Sequence, residues 1–197
     1  MPQLYDQLDF DVRRTILLHN YIQAWGVPQD RKIIHKEGRP PIEIYLFIDE
    51  LIVRFATIGL SAQVNEKSNK IANYELLFAC GHKLQGTSLG HIMDYVLDIS
   101  TSSIANFDNF KIGSMIPNIA IAPNSWEMKS IFVDEARAEP EHFIKIMIGD
   151  QAVEVLWLIP LHEAEYLYIK QNGISKFDER CREEELAVID LNRSSFV

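Results

Sequence analysis

The apolar stretch from residue 143 to residue 159 constrains the fold of this 197-residue chain more than any other part of its sequence. Residues 143–148 and 153–159 are rich in β-branched and aromatic side chains, and Gly149-Asp150 follows the first run. Short apolar runs bounded by such a turn signal are typical of β-hairpins. The pattern therefore predicts two paired strands in which Trp157 is buried.

Shorter patterns predict the other elements. Apolar, β-branched segments indicate strands at 42–48 and 51–57, which Asp49-Glu50 separates as a hairpin, and at 72–80, 119–122 and 130–133. Helical spacing of apolar residues indicates helices at 10–24, at 90–103, from Pro160-Leu161-His162-Glu163 to a left-handed cap at Asn172-Gly173, and from a Ser175/Asp178 capping box to about Leu186. Residues 59–69 are predicted to form a polar loop.

The chain has the composition of an ordinary globular protein, with 47% hydrophobic and 24% charged residues. No linker-like segment divides it, so we expect residues 1–197 to form a single domain. No apolar run approaches the roughly 20 residues that cross a bilayer. Asp6, Asp9 and Asp11 are unlike the basic start of a secretory signal, which favours a cytoplasmic protein without membrane contact.

The formal net charge of −9 is concentrated in the last third of the chain. Residues 134–197 hold fourteen acidic and seven basic residues. Such a field repels nucleic acid and attracts basic partners. The residues that we expect to contact a partner are Glu179, Glu183, Glu184 and Glu185. A solvated helix face that only keeps the protein soluble remains an equal alternative.

Several motifs in their order resemble the Suppressor of fused family. Residues 57–61 resemble that family's threonine, glycine, leucine, serine turn, and residues 74–76 resemble a strand that carries a glutamate-leucine pair. A strand ending in residues 158–161, an acidic helix and the segment 190–194 complete the match. The motif positions, which we interpret as structural, are Thr57, Gly59, Ser61, Glu75, Pro160, Gly173, Asp190, Arg193 and Ser194.

The resemblance implies an α/β (α+β) fold with a mixed, largely antiparallel sheet flanked by helices. It also implies a non-enzymatic binding function, because single-domain bacterial relatives are regarded as immunity proteins that neutralise polymorphic toxins. The expected partner is a basic toxin domain whose active surface is occluded. A regulatory adaptor that adds a partner peptide to a sheet edge is the alternative.

Two departures from the family pattern limit what the resemblance implies. His162 stands where the family usually has a hydroxyl residue, so the helix that follows is expected to begin less firmly. Eukaryotic members carry a second large region that helps to clamp a transcription-factor peptide. We expect this chain to act without that region, and their signalling function is not carried over.

The sequence patterns that could indicate an enzyme are weaker. Residues 86–90 match the G-x-S-x-G string of a hydrolase elbow, but five residues separate the preceding strand from Gly86, whereas an elbow needs the strand to lead directly into the serine. Ser88 is better explained as the start of a helix. His162 lacks a second histidine four positions later, so no metal site is predicted. No phosphate-binding loop or cofactor motif is present.

Ser88 is therefore predicted to do no chemistry. A fluorophosphonate probe should leave the native protein unlabelled, because no strained elbow exposes this hydroxyl. Labelling of the wild type that Ser88→Ala abolishes would instead establish a serine hydrolase.

Overall fold

The fold is built on one eight-stranded sheet, seen in a computed structural model that describes residues 6–65, 70–84, 88–105, 107–119, 121–195 and 197. The strands are β1 (Asp30–Ile34), β2 (Ile42–Ile48), β3 (Ile52–Ile58), β4 (Tyr74–Gly81), β5 (Met115–Ile116), β6 (Ser130–Glu135), β7 (Lys145–Ile148) and β8 (Gln151–Leu161). The helices are α1 (Gln7–Trp25), α2 (Leu89–Ala105), α3 (Glu141–Ile144), α4 (Glu163–Asn172) and α5 (Ile174–Glu183).

The strands follow the order β1-β2-β3-β4-β8-β6-β5, and β7 pairs with the first part of β8. Strands β4 and β8 run parallel, while the remaining pairs between named strands are antiparallel. The prediction of a mixed, largely antiparallel sheet flanked by helices is confirmed. Strand β4 thus joins an antiparallel half, β1 to β4, to the half that is organised around β8.

Helices cover both faces of the sheet. On one face α2 and residues 107–119 and 121–128 pack against side chains such as Phe55, Phe78 and Leu158. On the other face α1, α3, α4 and α5 pack against Phe47, Leu77 and their neighbours. Because both faces are buried, β2, β3 and β4 appear in the sequence as largely apolar segments rather than as alternating patterns.

The two predicted hairpins are confirmed. Ile48 pairs with Val53 across the first turn, and Ile148 pairs with Gln151 across Gly149-Asp150. Trp157 lies in β8 with 7% of its surface exposed, as predicted.

One strand prediction was wrong, and one edge strand was not predicted. Residues 119–122 form a turn, in which the Ala122 N–H donates to the Ile119 carbonyl, and residue 120 lies outside the described residues. Pro117 and Asn118, whose φ is 41°, end the pairing before this segment, so β6 pairs instead with Met115–Ile116. Strand β1 was not predicted, because an edge strand of mostly charged, exposed residues lacks an apolar pattern.

The helix boundaries near the carboxyl end need correction. Pro160 belongs to β8, and α4 begins at Glu163. At Gly173 φ is 83° but ψ is 163°, so the residue has the positive φ expected of a cap without the left-handed helical conformation. Because α5 begins at once with Ile174, Ser175 lies inside the helix and does not cap it, and α5 ends at Glu183.

Residues 66–69 of the predicted polar loop lie outside the described residues.

Trp157→Ala is predicted to lower the free energy of unfolding by about 3–5 kcal/mol, because it removes a large buried side chain and leaves a cavity. Urea melts measure this change. Leu51→Ala is the matched control, since Leu51 is 77% exposed and its truncation should cost little. Equal urea midpoints for Trp157→Ala and the wild type would contradict the packing described here.

Candidate partner-binding site

The four glutamates expected to contact a partner lie on the outer side and end of α5. Phe177, which is 2% exposed, anchors the inner side of this helix against the core. The carboxylates themselves are exposed, but three of them form ion pairs with basic residues on the same helix. Lys176 Nζ lies 2.6 Å from Glu179, and Arg180 lies 3.4 Å from Glu183 and 3.2 Å from Glu184. The flank of α5 is therefore a mixed-charge surface.

The chain turns sharply after α5 and forms an open depression. Leu186 donates its N–H to the Cys181 carbonyl at 2.8 Å, and Glu185 adopts a positive φ of 52° in this turn. The turn brings two of the predicted glutamates beside the carboxy-terminal motif residues. We call this surface the acidic depression, and it is lined by Glu184, Glu185, Leu186, Ala187, Asp190, Arg193, Ser194 and Ser195.

The acidic depression was only partly anticipated from the sequence. Glu184 and Glu185 belong to the predicted contact set, whereas Asp190 and Ser194 were interpreted as structural positions. Both of these residues are exposed, and Asp190 adds a third carboxylate. Glu179 and Glu183 lie on α5 outside the depression. One sequence signal could have predicted this grouping: Asp190 lies only five residues after Glu185, the last of three consecutive glutamates.

A buried ion pair holds the floor of the acidic depression. Arg193 Nη2 lies 2.8 Å from a carboxylate oxygen of Glu165, and the two side chains are 3% and 0% exposed. The same guanidinium donates to the carbonyls of Pro160 at 2.6 Å and Val188 at 3.1 Å. The positive charge of Arg193 is therefore directed inward, so it does little to neutralise the carboxylates above it.

The same glutamate secures the start of α4. The His162 N–H donates to Glu165 Oε2 at 3.0 Å, and the His162 ring nitrogen Nε2 lies 2.9 Å from the Arg193 carbonyl. This glutamate stands three residues after the N-cap, which is the position used in capping boxes. The expectation that α4 begins less firmly without a hydroxyl cap overlooked this contact.

A second group of motif residues forms a cage around one buried carboxylate. Glu75 is fully buried in β4 and accepts five hydrogen bonds, one from Thr57 near the end of β3 and four from the turn that follows this strand. The hydroxyls of Thr57 and Ser61 donate at 2.7 Å, and the N–H groups of Gly59, Leu60 and Ser61 donate at 2.9, 3.2 and 3.0 Å. Burial raises the pKa of Glu75, while these donors favour its ionised form.

Gly59 is required at this turn for two reasons. Its φ is +111°, and an added Cβ would lie 2.2 Å from the Pro41 carbonyl oxygen. No other residue type fits both the conformation and the space. The motif positions 57, 59, 61 and 75 thus come together in the interior, where they are inaccessible to a partner.

Ser88, the nucleophile considered from the sequence, occupies a structural position. Ser88 Oγ accepts from the His91 N–H at 3.2 Å and so caps the start of α2, while residues 85–87 lie outside the described residues. Burial raises the pKa of Cys80 to about 12 and that of Cys181 to about 11, so both thiols are protonated at neutral pH. Among the described residues no three potential ligands are grouped as a metal site would need.

Comparison with known proteins gives a consistent result for the fold. A family model described as Suppressor of fused protein (SUFU) matches residues 38–194. No curated protein matches the chain in sequence. Within the described part of the chain, no helix is long and apolar enough to span a membrane.

Solved structures resemble the chain despite low sequence identity. A putative SUFU homologue from Neisseria gonorrhoeae FA 1090 has a TM-score of 0.70 at 15% identity, covering 95% of this chain and 97% of that one. A chain from the Sufu-Fu complex has a TM-score of 0.61 at 11% identity, covering 99% and 93%. Drosophila Suppressor of Fused has a TM-score of 0.66 at 10% identity, and the match covers 93% of this chain but 50% of that protein.

Glu75→Gln is predicted to lower the free energy of unfolding by about 2–4 kcal/mol, because the amide nitrogen replaces one acceptor oxygen inside a cage of donors. Chemical denaturation measures the loss. Glu50→Gln makes the same chemical change at an exposed position and should behave like the wild type. A Glu75→Gln protein as stable as this control would mean that the cage contributes no stability.

Proposed function

We propose that this chain, which belongs to the Suppressor of fused family, is a single-domain, non-enzymatic protein that binds another protein in the cytoplasm. One structural relative is the Sufu-Fu complex, in which a protein is bound to another protein. For this chain we infer an immunity function: it binds a basic toxin domain and occludes the toxin's active surface.

The acidic depression is the observation that carries this proposal. It places the carboxylates of Glu184, Glu185 and Asp190 around one open concavity. Arg193 is turned inward to Glu165, and Arg180 pairs with Glu184 alone of these three. Lysine or arginine side chains that project from a partner could enter such a surface. The −9 net charge of the whole chain would attract the same partner from a distance.

The alternative function, peptide binding by strand addition, has a different structural basis. Strand β1 pairs with β2 on one side and ends the sheet order, so its other edge carries no further strand of the described chain. Such an edge can accept an extended peptide through main-chain hydrogen bonds. The opposite edge, β5, is only two residues long.

Hydrogen exchange on the complex with the bound partner separates the two functions. Occlusion through the acidic depression should protect amides of residues 183–195, whereas strand addition should protect amides of β1.

A toxin-like reading frame immediately upstream of the gene would identify the partner protein to test. The absence of such a reading frame would favour the adaptor.

Reversing Glu183, Glu184 and Glu185 to Lys is predicted to slow association with the basic toxin domain about tenfold or more at low salt. Dissociation should change less, and the effect should shrink as salt rises to about 0.5 M, because screening shortens the field. Stopped-flow kinetics measure both rates. The melting temperature should stay nearly unchanged, since all three side chains are exposed.

The control is a second triple variant with the same change in net charge. Glu37, Glu50 and Asp98 are exposed residues outside α5 and the acidic depression, and their reversal to Lys should slow association less. Equal slowing by both variants would assign the effect to net charge alone. A triple α5 variant that associates at the wild-type rate would leave these glutamates as a solubility feature.

A further inference from the structure

A groove of about 380 Å³ lies beside the acidic depression, and Leu186 lines both. Strand β8, the turn after β6, α5 and the segment that follows α5 all contribute to its lining. Its volume falls within the roughly 300–1,000 Å³ of ligand pockets. We call it the apolar groove, after the apolar residues that line it: Ala138, Trp157, Ile159, Phe177, Leu186 and Val188.

A smaller recess of about 90 Å³ adjoins the apolar groove, since Ala138 and Trp157 line both spaces. Two charged residues, Arg54 and Glu139, belong to the lining of the recess, and they bond to each other at 2.8 Å. The remaining lining is apolar, so the groove has apolar depth beyond the molecular surface. These residues are Ile52, Leu77, Ala79, Ala136 and Ile189.

The charged side chains at the apolar groove are held by contacts within the protein. Arg137 lies 2.7 Å from Asp134 and 2.7 Å from Asp178, so two carboxylates share its charge. Arg182 is exposed, and its Nε donates to the Asp178 carbonyl at 3.3 Å. The groove therefore presents apolar surface between charged groups that already have contacts, whereas the depression beside it presents carboxylates.

The two neighbouring surfaces have complementary physical roles. Exposed carboxylates speed the approach of a basic partner but contribute little to its affinity. Affinity at protein interfaces comes mainly from a few large side chains that fill apolar pockets. Aromatic rings suit such a pocket when other aromatic residues line it, as Trp157 and Phe177 do here.

We propose that the apolar groove is the anchor site for the partner and receives an aromatic side chain. The segment that carries this side chain also carries lysine or arginine residues, which face the acidic depression across Leu186. The basic character of this segment rests on the function proposed above, whereas the aromatic anchor is a separate requirement.

Heteronuclear NMR titration of the full chain tests the proposal with acetylated, amidated pentapeptides. The first peptide has phenylalanine between two pairs of lysines, and the second has serine in place of phenylalanine. The first should shift the indole N–H resonance of Trp157 saturably, because the ring enters the groove that Trp157 lines. The second should bind about tenfold more weakly, because it buries no ring.

A third peptide, with glutamates in place of the lysines around phenylalanine, separates this proposal from the charge requirement. Repulsion by the acidic depression should weaken its binding about tenfold or more. Equal binding of the phenylalanine peptides with lysines and with glutamates would contradict the basic partner but keep the anchor site. Equal binding of the two lysine peptides, or no shift of Trp157 with the first, would overturn the anchor site.

Two matched variants locate the aromatic ring. Ala138→Phe at the exposed rim fills the apolar groove and should weaken binding of the first peptide about tenfold, with little effect on the serine peptide. Ala105→Phe makes the same change at an exposed position at the end of α2, away from the groove, and should change neither affinity. Wild-type binding of the first peptide to Ala138→Phe, at a wild-type melting temperature, would refute the site.

Discussion

The buried carboxylate of Glu75 is the constraint on which the rest of the structure depends. A carboxyl group in the interior costs free energy unless its oxygens accept hydrogen bonds. Here five donors from residues 57–61 supply these bonds, which requires the chain to fold back at the end of β3. Since Glu75 belongs to β4, the cage also fixes the strand that joins the antiparallel half of the sheet to β8. Thr57 adds a further link, because its hydroxyl accepts from the Leu76 N–H at 2.7 Å.

The buried ion pair between Glu165 and Arg193 connects the sheet to the protein surface. Strand β8 pairs with Glu75 through Val155 and ends beside Pro160, whose carbonyl accepts from Arg193. The Glu165–Arg193 pair then ties the carboxy-terminal segment to the start of α4. Breaking such a pair is costly because an uncompensated charge remains buried. The shape of the acidic depression therefore depends on an ion pair that is itself buried beneath it.

Sequence patterns predicted the elements whose signals are local. Both hairpins and helices α1 and α2 follow from apolar periodicity and turn residues within short windows. Strand β1 could not be predicted this way, because pairing with β2 makes it a strand although its residues are charged. The Glu165–Arg193 pair spans 28 positions and has no local pattern at all. The glutamates of the candidate site could be predicted from the sequence, but only the folded structure shows that Asp190 lies beside two of them.

The acidic surface divides into two parts with different physical roles. Glu179, Glu183 and Glu184 share their charge with Lys176 and Arg180 on α5, so that flank acts mainly through the summed field of the molecule. Glu185 and Asp190 form no ion pair with a cation of the described residues, and their negative charge is therefore uncompensated at short range. Long-range attraction depends on net charge and is screened by salt, whereas a docked cation interacts with the nearest carboxylates. If a basic partner binds as we propose, the flank of α5 would act mainly on its association rate, and the two carboxylates in the depression would act mainly on its dissociation rate.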